Sequence, residues 1–165
     1  MTAVLDYQSL KPGHLIRRAQ QIAVAIFMEE CAGFDLTPVQ YAALAAIDAN
    51  PGLDATRLSY LIALDRSTIG SVLERLEAKG WVERTPEAND RRIKRLRIRP
   101  AGRRLLADVE EAVERAQQRI VAPLDADERR IFLRLLARLV ECNNELSRAP
   151  ARPGPESLAA QGAQS

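Results

Sequence analysis

Two short stretches of alternating apolar and polar residues, Trp81-Val82-Glu83-Arg84-Thr85 and Leu96-Arg97-Ile98-Arg99, interrupt a chain whose apolar residues otherwise recur every three to four positions. Alternation is the period of a strand with one buried face, and the longer repeat is that of an amphipathic helix. Residues 86–95 between them are polar and rich in turn formers, so the pair predicts one β-hairpin with a long tip. A lone two-stranded hairpin is marginal in water and must lean on its neighbours. Composition says what those neighbours are. Apolar residues make up 47% of the 165 positions and aromatic ones only 4%, so the apolar mass is aliphatic, as in packed helices. The predicted fold class is mainly α with a small β-hairpin wing.

The helices announce themselves by caps and stripes. Pro12 opens the first, where its missing N–H costs nothing, and Leu15, Ile16, Ala19, Ile22, Ala23, Ile26 and Phe27 form its stripe until Gly33. Thr37-Pro38-Val39-Gln40 has the pattern of a capping box and starts a second helix, which runs to Ala49 and breaks at Asn50-Pro51-Gly52. Asp54 caps a short third helix through Ile62, with Leu58, Leu61 and Ile62 turned inward. Asp65 caps a fourth, which runs to Lys79 and stops at Gly80. Ile69, Val72, Leu73 and Leu76 form its inner stripe, leaving Arg66, Ser67, Thr68, Gly70, Ser71, Glu74 and Arg75 outward. Pro100 opens a fifth helix to about Val121, and Asp125 with Glu128 opens a sixth through Leu146. Residues 1–10 show no period and are expected to be a flexible arm. Residues 148–165, rich in Pro, Gly, Ala and Gln, are expected to be a disordered tail.

A short helix joined by a tight turn to a helix with small polar residues on its outer face is a helix-turn-helix. The second helix of such a pair fits the major groove and meets base edges with its N-terminal residues. Here those are Arg66, Ser67, Thr68 and Ser71, with Arg75 a turn later. The charge distribution supports a polyanion at this place. Residues 81–104 hold nine Arg or Lys against three acids, on a chain whose net charge is only +2, so the remainder is net acidic. Arg91, Arg92 and Lys94 at the hairpin tip can enter an adjacent minor groove, and Asp90 can hold a guanidinium in one orientation. Residues 36–99 are therefore expected to be the DNA-binding domain.

Leu64-Asp65-Arg66-Ser67-Thr68, Leu76-Glu77-Ala78-Lys79-Gly80-Trp81-Val82-Glu83-Arg84 and Asn89-Asp90-Arg91-Arg92, in this order, resemble the MarR family of bacterial regulators. The resemblance covers roughly residues 10–147. It implies that the fourth helix is the recognition helix, that Asp90 and Arg92 are an oriented pair in the wing, and that the terminal helices form a two-fold dimer. It implies further that a small ligand binds between the two parts and weakens DNA binding, and that the regulator represses. One position departs: members usually carry Thr before the Pro-x-Gly that opens the fifth helix, and here it is Arg99. A lost N-cap costs about 1 kcal/mol, while Arg99 can reach a phosphate.

The stripes of the first, fifth and sixth helices, the last two built on Leu105, Leu106, Val109 and Val113 and on Ile131, Phe132, Leu135, Leu136, Leu139 and Val140, exceed what a small winged domain can cover. Residues 11–35 and 100–147 are thus expected to form the dimerisation region, and a homodimer to bind a palindromic double-stranded operator. His14 and either Arg17 or Arg18 lie one turn apart and can hold a carboxylate, with Phe27, Phe34 and Tyr41 near enough in sequence to line an apolar pocket. A first helix of this type resembles regulators of aromatic-acid catabolism, which implies an aromatic acid or its coenzyme A thioester as effector. Surface charge and ordinary core account for the same residues without a ligand.

Two other readings share parts of this pattern. Cys31 suggests a redox-responsive regulator, but Glu29 and Glu30 beside it at a helix C-terminus disfavour the thiolate, so packing explains it better. A winged-helix protein-interaction adaptor would have the fold without needing the basic wing. An enzyme is not expected: one histidine, no paired His/Cys ligands and no Gly-rich phosphate loop leave no catalytic, metal or cofactor site. No apolar run approaches the roughly 20 residues of a membrane span, no signal sequence is evident, and two distant cysteines suit a reducing cytoplasm.

Overall fold

The computed structural model describes residues 11–87 and 92–152. The expected arm at 1–10, the hairpin tip at 88–91 and most of the expected tail lie outside the described residues. The order is α1 (Pro12–Glu30), α2 (Pro38–Ala49), α3 (Ala55–Leu61), α4 (Arg66–Ala78), β1 (Val82–Pro86), β2 (Lys94–Ile98), α5 (Pro100–Ile120) and α6 (Ala126–Cys142). It is a mainly helical fold with one antiparallel hairpin, paired from Val82 opposite Ile98 to Pro86 opposite Lys94.

Local chemistry sets most boundaries. Both halves of the capping box form at Thr37 and Gln40, and again at Asp125 and Glu128. Asp54 accepts from the Arg57 amide and Asp65 from the Thr68 amide, which starts α3 and α4. At the other end of α4, the Trp81 N–H donates to the Leu76 carbonyl at 3.0 Å and the Gly80 N–H to Glu77 at 2.8 Å. Gly80 has φ +70°, the left-handed conformation that closes a helix in this bonding pattern.

Several boundaries differ from the sequence expectation. α1 ends at Glu30, not Gly33, because Ala32–Phe34 tightens into a 3-10 turn. α6 ends at Cys142, and Asn144–Leu146 is a separate 3-10 turn. The strands also reach further into the hairpin, since Pro86 extends the first, and Lys94 and Arg95 the second; Lys94 therefore belongs to a strand and not to the tip.

Two apolar clusters hold the chain together. One gathers Leu44, Ile47, Leu58, Leu73, Leu76, Val82 and Leu96 between α2, α3, α4 and the hairpin. The other packs Phe27, Cys31 and Leu36 against Val109, Ala112, Val113 and Ala116 of α5. Trp81 and Leu105 touch both clusters, so the winged part and the helical part share one continuous core. Gly102 sits at this seam. A Cβ there would lie 2.5 Å from the Trp81 carbonyl and 2.8 Å from Ile98 Cγ1, so the first turn of α5 meets the hairpin only because the residue is glycine.

The long stripes divide unequally. That of α5 is largely buried within the protomer, at Val109, Ala112, Val113 and Ala116. α6 has no buried residue, and Phe27 is the one buried residue of α1. Leu15, Ile16, Ile22, Val24 and Met28 on α1, with Ile131, Phe132, Leu133, Leu135, Leu136, Leu139 and Val140 on α6, remain exposed. No described helix is long and apolar enough to cross a membrane.

Candidate nucleic-acid interface

α4 packs its apolar stripe inward, so Arg66, Ser67, Ser71, Glu74 and Arg75 are exposed and Thr68 is partly so. The cap at its start does more than accept an amide. Ser67 Oγ donates to Asp65 Oδ1, and Thr68 Oγ1 donates to Asp65 Oδ2 at 2.8 Å. Ser71 Oγ donates to the Thr68 carbonyl at 2.9 Å. The two hydroxyls, Ser67 first, and the Thr68 amide stabilise the carboxylate and lower the Asp65 pKa from 3.8 to about 2. All three hydroxyl hydrogens are committed within the helix, and the oxygens keep lone pairs toward solvent.

The basic segment separates into two groups. Arg84 pairs with Glu77 on α4, Arg103 with Asp48 on α2 at 3.0 Å, and Arg99 with Glu83 across the hairpin at 4.0 Å. Arg95 bonds Glu87 and reaches the α2–α3 turn. These four tie elements together. Arg66, Arg75, Lys94 and Arg97 are exposed and make no ion pair among the described residues. Arg92 is exposed at the end of the hairpin. Asp90 and Arg91 lie outside the described residues, and with them the expected Asp90–Arg92 pair. The sequence counted the basic block whole, because nothing in a linear pattern shows which arginines have an acid across the fold.

The six residues expected to hold a ligand do not meet in one protomer. Phe27, Phe34 and Tyr41 come together around the second cluster, with the Phe27 and Tyr41 rings 6.0 Å apart. His14, Arg17 and Arg18 are exposed on the first turns of α1. At 1.5 Å per residue, His14 lies roughly 20 Å along the axis from Phe27. Arg17 donates to Gln21 at 3.3 Å. The opposite face of this helical stretch instead lines a cleft of about 650 Å³ between α1, α5 and α6, walled by Leu15, Ile16, Ala19, Val121, Phe132 and Leu136. Arg129 also lines it, and its shielded Nε has no hydrogen-bond partner among the described residues. Sequence reasoning missed this cleft; its only signal was the surplus of apolar stripe.

Cys31 is 1% exposed, and burial, then the charge of Glu30, raises its thiol pKa. Both effects oppose the thiolate that redox sensing needs. Glu30 itself is held below its ordinary pKa by Arg119 and Arg115, which join α1 to α5. Lys79 lies 4.7 Å over the Trp81 ring and pairs with Asp35, joining the end of α4 to the α1–α2 connection. Among the described residues, no group of three or more His, Cys, Asp or Glu is arranged to hold a metal.

Comparison with known proteins places this geometry. A family model described as MarR family matches residues 34–93, which begin just before α2 and end just before β2. A protein of Thauera aromatica, named as a transcriptional regulatory protein for the hcr operon, is 36% identical over 81% of each chain. A solved structure of the transcriptional repressor CouR bound to a 23-mer DNA duplex is 31% identical, with TM-score 0.76, covering 82% of this chain and 96% of that one. Another, describing regulation of DNA binding of Bordetella bronchiseptica BpsR by 6-hydroxynicotinic acid, is 29% identical with TM-score 0.76, covering 81% and 96%.

Proposed function

Since the chain belongs to the MarR family of transcriptional regulators, we propose that it is a homodimeric, sequence-specific repressor that a small aromatic carboxylate or its coenzyme A thioester releases from DNA. The observation that carries the DNA-binding part is the adjacency of α4, with its exposed Arg66, Ser67, Ser71 and Arg75, to a hairpin with exposed Arg92, Lys94 and Arg97. A helix of this surface enters the major groove, and a thin basic hairpin beside it suits the neighbouring minor groove. Residues 36–99 then serve as the DNA-binding unit. A cytoplasmic location follows from this role.

The dimer rests on the bare apolar faces of α1 and α6 and on the cleft between them. Exposed apolar surface of this extent marks an association site, so residues 11–35 and 100–147 are its natural provider. The same assembly would repair the ligand constellation. Helices paired across a two-fold axis can run antiparallel, which brings the polar start of one α1 toward the Phe27 end of its copy. The relative regulated by 6-hydroxynicotinic acid, an aromatic acid, supports this class of effector. Raised thiol pKa and burial at Cys31 weigh against the redox alternative.

The test is a footprint on the DNA that the protein selects from a random-sequence pool. An inverted repeat with half-sites about 10 bp apart, centre to centre, is expected for a two-fold dimer. A single asymmetric half-site protected by a monomer would overturn the dimeric reading.

A further inference from the structure

Arg95 belongs to the basic hairpin, yet it is only partly exposed and its guanidinium is engaged within the protein. Nε donates to Glu87 Oε2, on the chain leaving β1. Nη1 donates to the Gly52 carbonyl at 3.2 Å and lies 4.0 Å from Asp54 Oδ2. Gly52 holds φ +84° in the turn after α2, and Asp54 is the N-cap of α3. One residue on, the Leu96 amide donates to the Leu53 carbonyl at 2.7 Å. A single side chain on β2 therefore joins the chain leaving β1, the α2–α3 turn and the start of the helix-turn-helix. The planar fork makes this possible, because its donors diverge from one rigid group; an ammonium on a flexible stem cannot hold acceptors on two sides in the same fixed geometry.

We propose that Arg95 is a positioning residue that fixes the angle of the hairpin against α3, and that it does not itself contact DNA. Its effect on binding passes through Arg92 and Lys94, whose reach toward a groove depends on that angle. This inference rests on the DNA-binding reading above.

The experiment measures affinity against salt concentration for the wild-type protein on a duplex it has selected from a random pool, and for Arg95→Ala, Arg95→Lys, Arg92→Ala and the Arg92→Ala/Arg95→Ala double variant. A residue that contacts phosphate gives up about 1 in the salt slope per half-site when truncated. Arg95→Ala and Arg95→Lys are each expected to weaken binding on the order of fivefold and to lower the slope alike, because Arg92 and Lys94 lose their place in both. A direct phosphate contact would instead be kept by the charge of lysine. Arg92→Ala should lower the slope, and cost less than half as much in the Arg95→Ala background as alone. Amide hydrogen exchange on the DNA-free variants should quicken at Leu96 and Glu87. Wild-type behaviour of Arg95→Lys, additive costs or additive slope losses in the double variant, or unchanged exchange would each overturn the proposal. A wild-type protein that selects no duplex would instead remove the DNA-binding reading, and this inference with it.

Discussion

The Asp65 carboxylate takes the Thr68 amide and the hydroxyls of Ser67 and Thr68. That Asp65 caps α4 is legible in the sequence, because a cap is a contact between neighbours three residues apart. That it also spends both hydroxyl hydrogens is not, because rotamers decide it. The consequence concerns base preference. With their hydrogens committed, Ser67, Thr68 and Ser71 meet DNA as acceptors and suit the donor edges of the major groove, adenine N6 and cytosine N4. Selection of binding sites by wild type should show A or C opposite these residues, and Ser67→Ala or Thr68→Ala should relax one position. A guanine or thymine preference there, lost in the same variants, would reverse the argument. The carboxylate also sets a pH dependence. Its folded pKa is depressed, so its stabilisation is present above the ordinary value of 3.8 and is lost as pH falls toward about 2. Unfolding by urea should find Asp65→Asn less stable than wild type at neutral pH, with the gap closing across that acidic interval; a gap independent of pH would show that the cap carries no charge effect.

Elements whose limits are set by contacts close in sequence were legible, and those settled by distant partners were not. The starts of α2, α3, α4 and α6 follow from Thr37, Asp54, Asp65 and Asp125, and the stop of α4 from Gly80. The hairpin ran longer than its alternation because Pro86, Lys94 and Arg95 gain partners on the other strand, which no single stretch records. Which of the three long stripes the protomer covers itself was not legible for the same reason: period shows that a face is apolar, and not which element will cover it. Gly102 shows the stakes at such a seam. Gly102→Ala forces a methyl against the Trp81 carbonyl and Ile98, so one of them must shift. Overpacking of this kind costs about 1–3 kcal/mol, more than the helix propensity that alanine gains. Chemical denaturation should show a net loss of stability, whereas Gly13→Ala, with nothing near its Cβ, should not. Equal behaviour of the two variants would mean that the seam relaxes freely.

At the scale of the whole molecule, a surplus of apolar surface was visible in the sequence, but not that His14 stands roughly 20 Å along α1 from Phe27. α6 contributes no buried residue to its own protomer, so its exposed face can be charged at little cost to the protomer fold. Leu139, 47% exposed, is suited to this. Leu139→Glu places a carboxylate where the proposed dimer buries an apolar side chain, and an unpaired buried charge is strongly unfavourable. Sedimentation should show a monomer of near-native helicity. Its DNA binding should collapse toward that of an isolated half-site, since the second recognition helix is no longer tethered to the first. The same variant tests the effector. If His14, Arg17 and Arg18 hold an aromatic carboxylate against the Phe27 end of the partner subunit, release by tenfold to a hundredfold requires the ligand to favour the released geometry by about 1.4–2.8 kcal/mol. In the dimer, Arg17→Ala or Arg18→Ala should raise the concentration of acid or thioester needed for release while leaving DNA affinity near wild type. In the Leu139→Glu monomer, the ligand should alter half-site binding hardly at all, because no composite pocket remains. A DNA titration over a panel of aromatic acids and their thioesters decides it: undiminished release from the monomer would place the effector within a single protomer, and the cleft between α1, α5 and α6 would become its seat.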